Sequence, residues 1–105
     1  MAVCTDTILL GITGLLDGRR GTTNKLDFTS TVHYAPNVDW VREARWVEDG
    51  KFFTSSGVSA GMDMTLAVLA DLYGSEKAEE TAVGSEYTWH RDADDDPFAK
   101  LAGLV

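Results

Sequence analysis

The only cysteine of this chain, Cys4, stands where a short apolar stub ends and an amphipathic run begins. Met1-Ala2-Val3 precedes it, and Thr5-Asp6-Thr7 leads into Ile8-Leu9-Leu10. Strand, one residue of reactive type, then helix is the layout of a nucleophile elbow, a turn that stands a side chain at the carboxyl edge of a sheet. Unpaired N–H groups in the first helical turn favour an anionic sulfur there. The layout requires a strand that ends at residue 4 and a helix that packs back on it. Taken alone, a cysteine beside apolar residues also reads as a small buried hydrophobe, so both readings of Cys4 stand at this level.

With 105 residues the chain makes one domain at most, large enough to bury a moderate core. The net charge of −8 argues against a nucleic-acid surface, because neutralising phosphates needs clustered Lys and Arg. Arg19-Arg20 and the Arg42/Arg45 pair read as solvated surface. One cysteine makes no internal disulfide, which suits a reducing compartment. No apolar run approaches the ~20 residues that span a bilayer, so no membrane role is expected. The start lacks signal-peptide regions, and a cytoplasmic location is the expectation.

Ile8, Leu9, Ile12, Leu15 and Leu16 fall at helical spacing, and Gly14 with Asp17-Gly18 ends that element. Arg19–Thr23 reads as a short strand, and Asp27 as the cap of a brief helix over Phe28–Tyr34 that Pro36-Asn37 terminates. Val38–Glu48 and Lys51–Ser56 flank Asp49-Gly50, a strong hairpin signal. The first of these runs alternates poorly, which predicts a bend near Arg42-Glu43-Ala44. A small-residue bridge, Ser55–Gly61, leads into a helix over Met62–Tyr73 that is apolar almost all round and demands cover. Gly74 stops it, and Ser75 is expected to cap a weakly amphipathic outer helix. Trp40, Trp46 and the Met62/Met64 pair read as packing residues, His33 and His90 as surface. The aspartates of residues 92–96 read as a solvated run, since a flexible stretch supplies too few convergent ligands for a metal. Helices interleaved with short strands and one hairpin make an α/β sheet with helices packed on it.

In order along the chain, several stretches resemble the C-terminal half of the DJ-1/PfpI family, whose fold is class I glutamine amidotransferase-like. Val3-Cys4-Thr5 resembles the nucleophile turn, and Gly14–Arg20 with Thr22-Thr23 the turn and strand after the elbow helix. Asp49-Gly50-Lys51 resembles the hairpin tip, Thr54–Asp63 the lead into the long buried helix, and Glu86-Tyr87 the terminal segment. The resemblance covers about residues 2 to 90. It implies a three-layer, flavodoxin-like α/β fold, truncated and lacking its N-terminal half, with residues 1–91 as the partial domain and 92–105 as an acidic tail.

The same resemblance implies Cys4 as nucleophile and Thr5 as its neighbour in the site, with no cofactor and no metal. Peptidase-like members carry His directly after the cysteine, whereas Cys4-Thr5 is similar to the isonitrile hydratase-like branch and to amidotransferase-like domains fused to transcription regulators. In the hydratase branch the cysteine attacks the isonitrile carbon, an acid handles protons and water completes an N-substituted formamide. That acid belongs to the N-terminal half. Where other members place His after the Thr-Thr pair this chain has Asn24, which is no base. Asp6 replaces the usual Gly and sets a carboxylate near the thiol, which opposes thiolate formation. Three functions follow as expectations: a hydratase-like or hydrolase-like enzyme acting on a small molecule once an N-terminal half is supplied, a catalytically silent fragment, or a binding or dimerisation module. A short elbow strand with an open edge makes a homo-oligomer the expected state.

Overall fold

The structure, a computed structural model, describes all of residues 1–105. β1 (Ala2–Val3) runs into a 3-10 turn at Cys4–Asp6 and then α1 (Thr7–Ile12). β2 (Arg20–Gly21), α2 (Phe28–Tyr34) and β3 (Asp39–Trp40) come next. β4 (Trp46–Asp49) and β5 (Phe52–Ser55) follow, and α3 (Val58–Tyr73), α4 (Ser75–Gly84) and α5 (Phe98–Leu101) complete the chain. The architecture is mixed α/β, as the pattern of elements required.

β5 lies at the centre of a three-stranded sheet, parallel to β1 on one side and antiparallel to β4 on the other. Register pairs Val3 with Ser55 and Asp49 with Phe52, so the hairpin turns at Asp49-Gly50 as expected. Gly50 has φ +59°, a left-handed conformation that costs other residues a Cβ clash. Alternation along β5 sends its side chains to two faces. On one face Phe52 packs against Leu16, Ala35 and Val38, and Thr54 Oγ1 accepts the Thr22 N–H at 2.9 Å. β2 pairs in parallel with β3 to form a second, two-stranded sheet on that face. On the other face lies α3.

α3 approaches β1 closely because residue 61 is glycine: a Cβ there would stand 2.6 Å from Val3 Cγ1. Ala60, Met64 and Leu66 are buried beneath the helix, and α4 docks on it through Ala78 and Ala82, one turn apart. No helix is long and apolar enough to cross a membrane.

Several local expectations need correction. α3 begins at Val58, four residues before the expected Met62, because Gly57 supplies the extended cap geometry (φ −66°, ψ 180°). Ser75 is already helical and caps nothing; Gly74, at φ +95°, closes α3 and opens α4. Asp27 makes no side-chain cap either; Asn24 Oδ1 accepts the Leu26 and Asp27 N–H groups instead, at 2.9 and 3.3 Å. The run Val38–Glu48 is broken more deeply than a bend, its two ends joining different sheets. The apolar stripe of α1 is largely uncovered, with Leu9 66% and Ile12 59% exposed, while Leu16 just beyond it is fully buried. Met64 is buried but Met62 is not, because only one of two residues so spaced can face the sheet.

Candidate functional site

Cys4 sits where β1 ends, at φ +57°. Only one other non-glycine residue, Glu86 at φ +52°, shares that region. Such a conformation costs an ordinary residue about 1–3 kcal/mol and persists only where its surroundings hold it. Two contacts hold it here. Thr23 Oγ1 donates to the Cys4 carbonyl at 2.8 Å, and the Thr7 N–H donates to the same oxygen. The chain thus turns sharply from strand to helix with a partly exposed free thiol at the apex. Thr5, the second expected site residue, is next in the turn and exposed.

The Asn24 carboxamide oxygen is taken up by the turn into α2. His33 stacks edge-on against Tyr34, exposed, 5.7 Å between ring centres. His90 Nε2 lies 3.0 Å from Asp95 Oδ2. Neither histidine contacts the elbow, so the thiol has no imidazole partner. Thr7 Oγ1 and Ser55 Oγ are buried without a hydrogen-bond partner, the first three residues after Cys4 and the second registered with Val3. No three His, Cys, Asp or Glu side chains converge as a metal site requires.

Two buried charged clusters flank this framework, and the sequence pattern did not reveal either. In the first, Asp63 of α3 is wholly enclosed. Its Oδ2 accepts Arg45 Nε at 2.7 Å, and its Oδ1 accepts the Tyr87 hydroxyl at 2.9 Å and the His90 N–H at 2.8 Å. Burial, then the adjacent Asp63 carboxylate, pushes the Tyr87 phenol above its ordinary value of 10.0. A carboxylate in a mostly apolar helix was a partial signal, since such groups go inside only when paired, but Asp71 of the same helix is exposed.

In the second cluster Lys25 Nζ is enclosed by Thr22 Oγ1, the Thr23 and Ala44 carbonyls and Asp96 Oδ2, all within 3.1 Å. Burial lowers the Lys25 ammonium below 10.5, and Asp96 offsets part of that. Asp96 corrects the reading of residues 92–96 as a solvated run: Asp92, Asp94 and Asp95 are exposed, but Asp96 is buried against Lys25. An ammonium under the fold needs a counter-charge, and the nearest one comes from the end of the chain.

Three of the surface grooves border these elements. One of about 390 Å³ lies between α3 and α4, lined by Val3, Met62, Leu66 and Tyr87. A cleft of about 310 Å³ separates Asn24, Ser56 and Gly57 from Phe98 and Leu101 of α5. A third, of about 620 Å³, runs along the open edge of β1 between Met1, Leu9, Leu10 and Phe52.

A family model described as DJ-1/PfpI matches residues 1–71. The isonitrile hydratase of Pseudomonas putida is 36% identical over 88 residues, which is 82% of this chain and 36% of that protein. The crystal structure of a cysteine-to-alanine mutant of a DJ-1 superfamily protein from Salmonella typhimurium superposes with a TM-score of 0.67 at 28% identity. The match takes in 84% of this chain and 45% of the other. The chain therefore spans less than half the length of either relative.

Proposed function

The chain belongs to the DJ-1/PfpI family, and from that premise we propose that it carries the nucleophile half of an isonitrile hydratase-like or hydrolase-like site, with Cys4 as the nucleophile and Thr5 beside it. The observation that carries this reading is the left-handed Cys4 at the junction of β1 and the following helix, its carbonyl tied by Thr23. An enforced φ at a reactive side chain is the backbone signature of a residue held for chemistry. Sequence likeness to an isonitrile hydratase supports isonitriles as the substrate class.

In this reading the Cys4 sulfur bonds to the terminal carbon of a small isonitrile, and an acid protonates that carbon to give a thioimidate. Water then adds to the same carbon, and loss of the thiol leaves an N-substituted formamide. The acid comes from outside residues 1–105. In support, the carboxylates enclosed in this chain, Asp63 and Asp96, are engaged by Arg45 and Lys25. The isolated chain is therefore silent, and a complementary segment completes the site for its small-molecule substrate. A reducing, cytoplasmic setting suits its single free thiol.

Steady-state assay of the purified chain against small isonitriles, with formamide as the measured product, tests the proposal. Background rates are expected from the chain alone. Turnover that Cys4→Ser abolishes would mean that the acid lies within these residues. A second reading, a non-catalytic dimerisation module, draws on the open edge of β1 beside exposed Leu9 and Ile12. Sedimentation at micromolar concentration separates the two: in this second reading the chain is a dimer or larger, and Ile12→Lys makes it a monomer.

A further inference from the structure

Lys25 is buried, and each partner of its ammonium comes from a segment that the fold must hold together. Thr22 Oγ1 and the Thr23 carbonyl, at 2.8 and 2.9 Å, belong to the loop after β2. The Ala44 carbonyl, at 3.0 Å, belongs to the break before β4, and Asp96 Oδ2, at 3.1 Å, to the C-terminal segment. An ammonium has three protons, and Thr22, Thr23 and Ala44 take them, so Asp96 Oδ2 balances the charge without a hydrogen bond of its own. Thr23 links this knot to the elbow, because its hydroxyl donates to the Cys4 carbonyl. Thr22 links it to the sheet through Thr54.

We infer that Lys25 and Asp96 are positioning residues for the Cys4 elbow, and that the C-terminal segment is part of the scaffold of the site. The inference rests on the reading of Cys4 as nucleophile. Thr23 is the one side chain that holds the Cys4 carbonyl, beside the Thr7 N–H, and Thr23 is fixed through its own carbonyl by Lys25. Lys25 stays inside only while Asp96 balances its charge. Further contacts seat the segment that carries Asp96: the Arg45 and Trp46 N–H groups both donate to the Ala93 carbonyl, and Ala99 is buried. Asp96 lies beyond the 71 residues that the family model matches.

The test uses the full chain and its single cysteine. Iodoacetamide alkylation of Cys4 is timed in the wild type, Lys25→Met, Asp96→Asn and the double variant Lys25→Met/Asp96→Leu. The double variant removes both charges, so it keeps the fold even where a single change strands a buried ion. Each variant is expected to lose about tenfold in rate, the size of effect that outer hydrogen-bond partners have on a reactive centre. The double variant should lose no more than either single one, because the pair acts as a unit. The ¹³C shift of the Cys4 carbonyl should move upfield in step, reporting loss of the Thr23 hydrogen bond. Ala82→Gly, which loosens α4 but leaves the Thr23–Cys4 hydrogen bond in place, should leave both readouts unchanged. Wild-type rates with an unmoved carbonyl in the folded double variant would overturn the inference, as would an equal fall in Ala82→Gly. A wild-type Cys4 no more reactive than cysteine in an unfolded peptide would sink the nucleophile reading instead, and the carbonyl shift would then decide the anchoring by itself.

Discussion

Replacing Asp63 by Asn tests whether the Arg45–Asp63–Tyr87 cluster is a pillar of the fold or an ornament on it. The two side chains of the ion pair are 11% and 0% exposed, so solvent screening, which reduces surface pairs to a fraction of a kcal/mol, is absent. Arg45 Nη2 lies 2.6 Å and Nε 2.7 Å from the same carboxylate oxygen. Asn keeps the shape, but its single oxygen serves either Tyr87 and His90, leaving an amide donor against the guanidinium, or Arg45, leaving those two donors without an acceptor. Breaking one side of a buried pair costs ~3–5 kcal/mol, chiefly because the remaining charge stays desolvated. Against a total stability of ~5–15 kcal/mol for a domain of this size, that is a large share. With a urea slope of ~2 kcal/mol per M, the unfolding midpoint should fall by about 2 M. Equilibrium unfolding followed by tryptophan fluorescence measures it. The double variant Arg45→Met/Asp63→Leu should recover much of the loss, since it leaves no stranded charge. A midpoint within ~0.5 M of wild type for Asp63→Asn, or a double variant no better than the single one, would refute the reasoning.

Two further outcomes follow from named contacts. The Tyr87 phenol titrates above 10.0 in the fold because burial and Asp63 favour its neutral form. Its contribution is therefore complete below pH 10 and is lost as pH rises through the folded value, so Tyr87→Phe should flatten the alkaline fall of the thermal midpoint while costing about 1 kcal/mol at neutral pH. Gly61→Ala sets a methyl 2.6 Å from Val3 Cγ1, and overpacking of ~1–3 kcal/mol should outweigh the ~1 kcal/mol gained in helix propensity. Thermal melts should show destabilisation, relieved by Val3→Ala in the same chain.

Local rules are legible wherever one residue type answers one geometric demand. Asp49-Gly50 announces the hairpin because only a few residues accept φ +59°, and Cys4 between an apolar stub and a helical pattern announces the elbow. Phe28–Tyr34 ends at its breaker Pro36-Asn37 as expected, although Asn24 rather than Asp27 shapes its start. What failed to show was partnership across distance. Asn24 read as a missing histidine, yet its side chain is spent in the turn before α2, a job that depends on where Leu26 and Asp27 lie. Nothing local marks Lys25 or Asp96 for burial, because each is an ordinary surface residue until the other arrives.

Patterning by itself determined the α/β class, the succession of elements from β1 to α2 and from the hairpin to α4, and the position of Cys4 at a strand-to-helix turn, whereas β3 and α5 left no mark in it. These follow from spacing and backbone sterics, which act within a few residues. Tertiary structure alone decided which charges go inside and what holds the left-handed cysteine. Lys25 meets Asp96 across 71 positions and Asp63 meets Arg45 across 18, and nothing in a local pattern distinguishes those partners from their exposed neighbours. A charge is stable in the interior only when its partner is already there, and only the closed chain brings the two together.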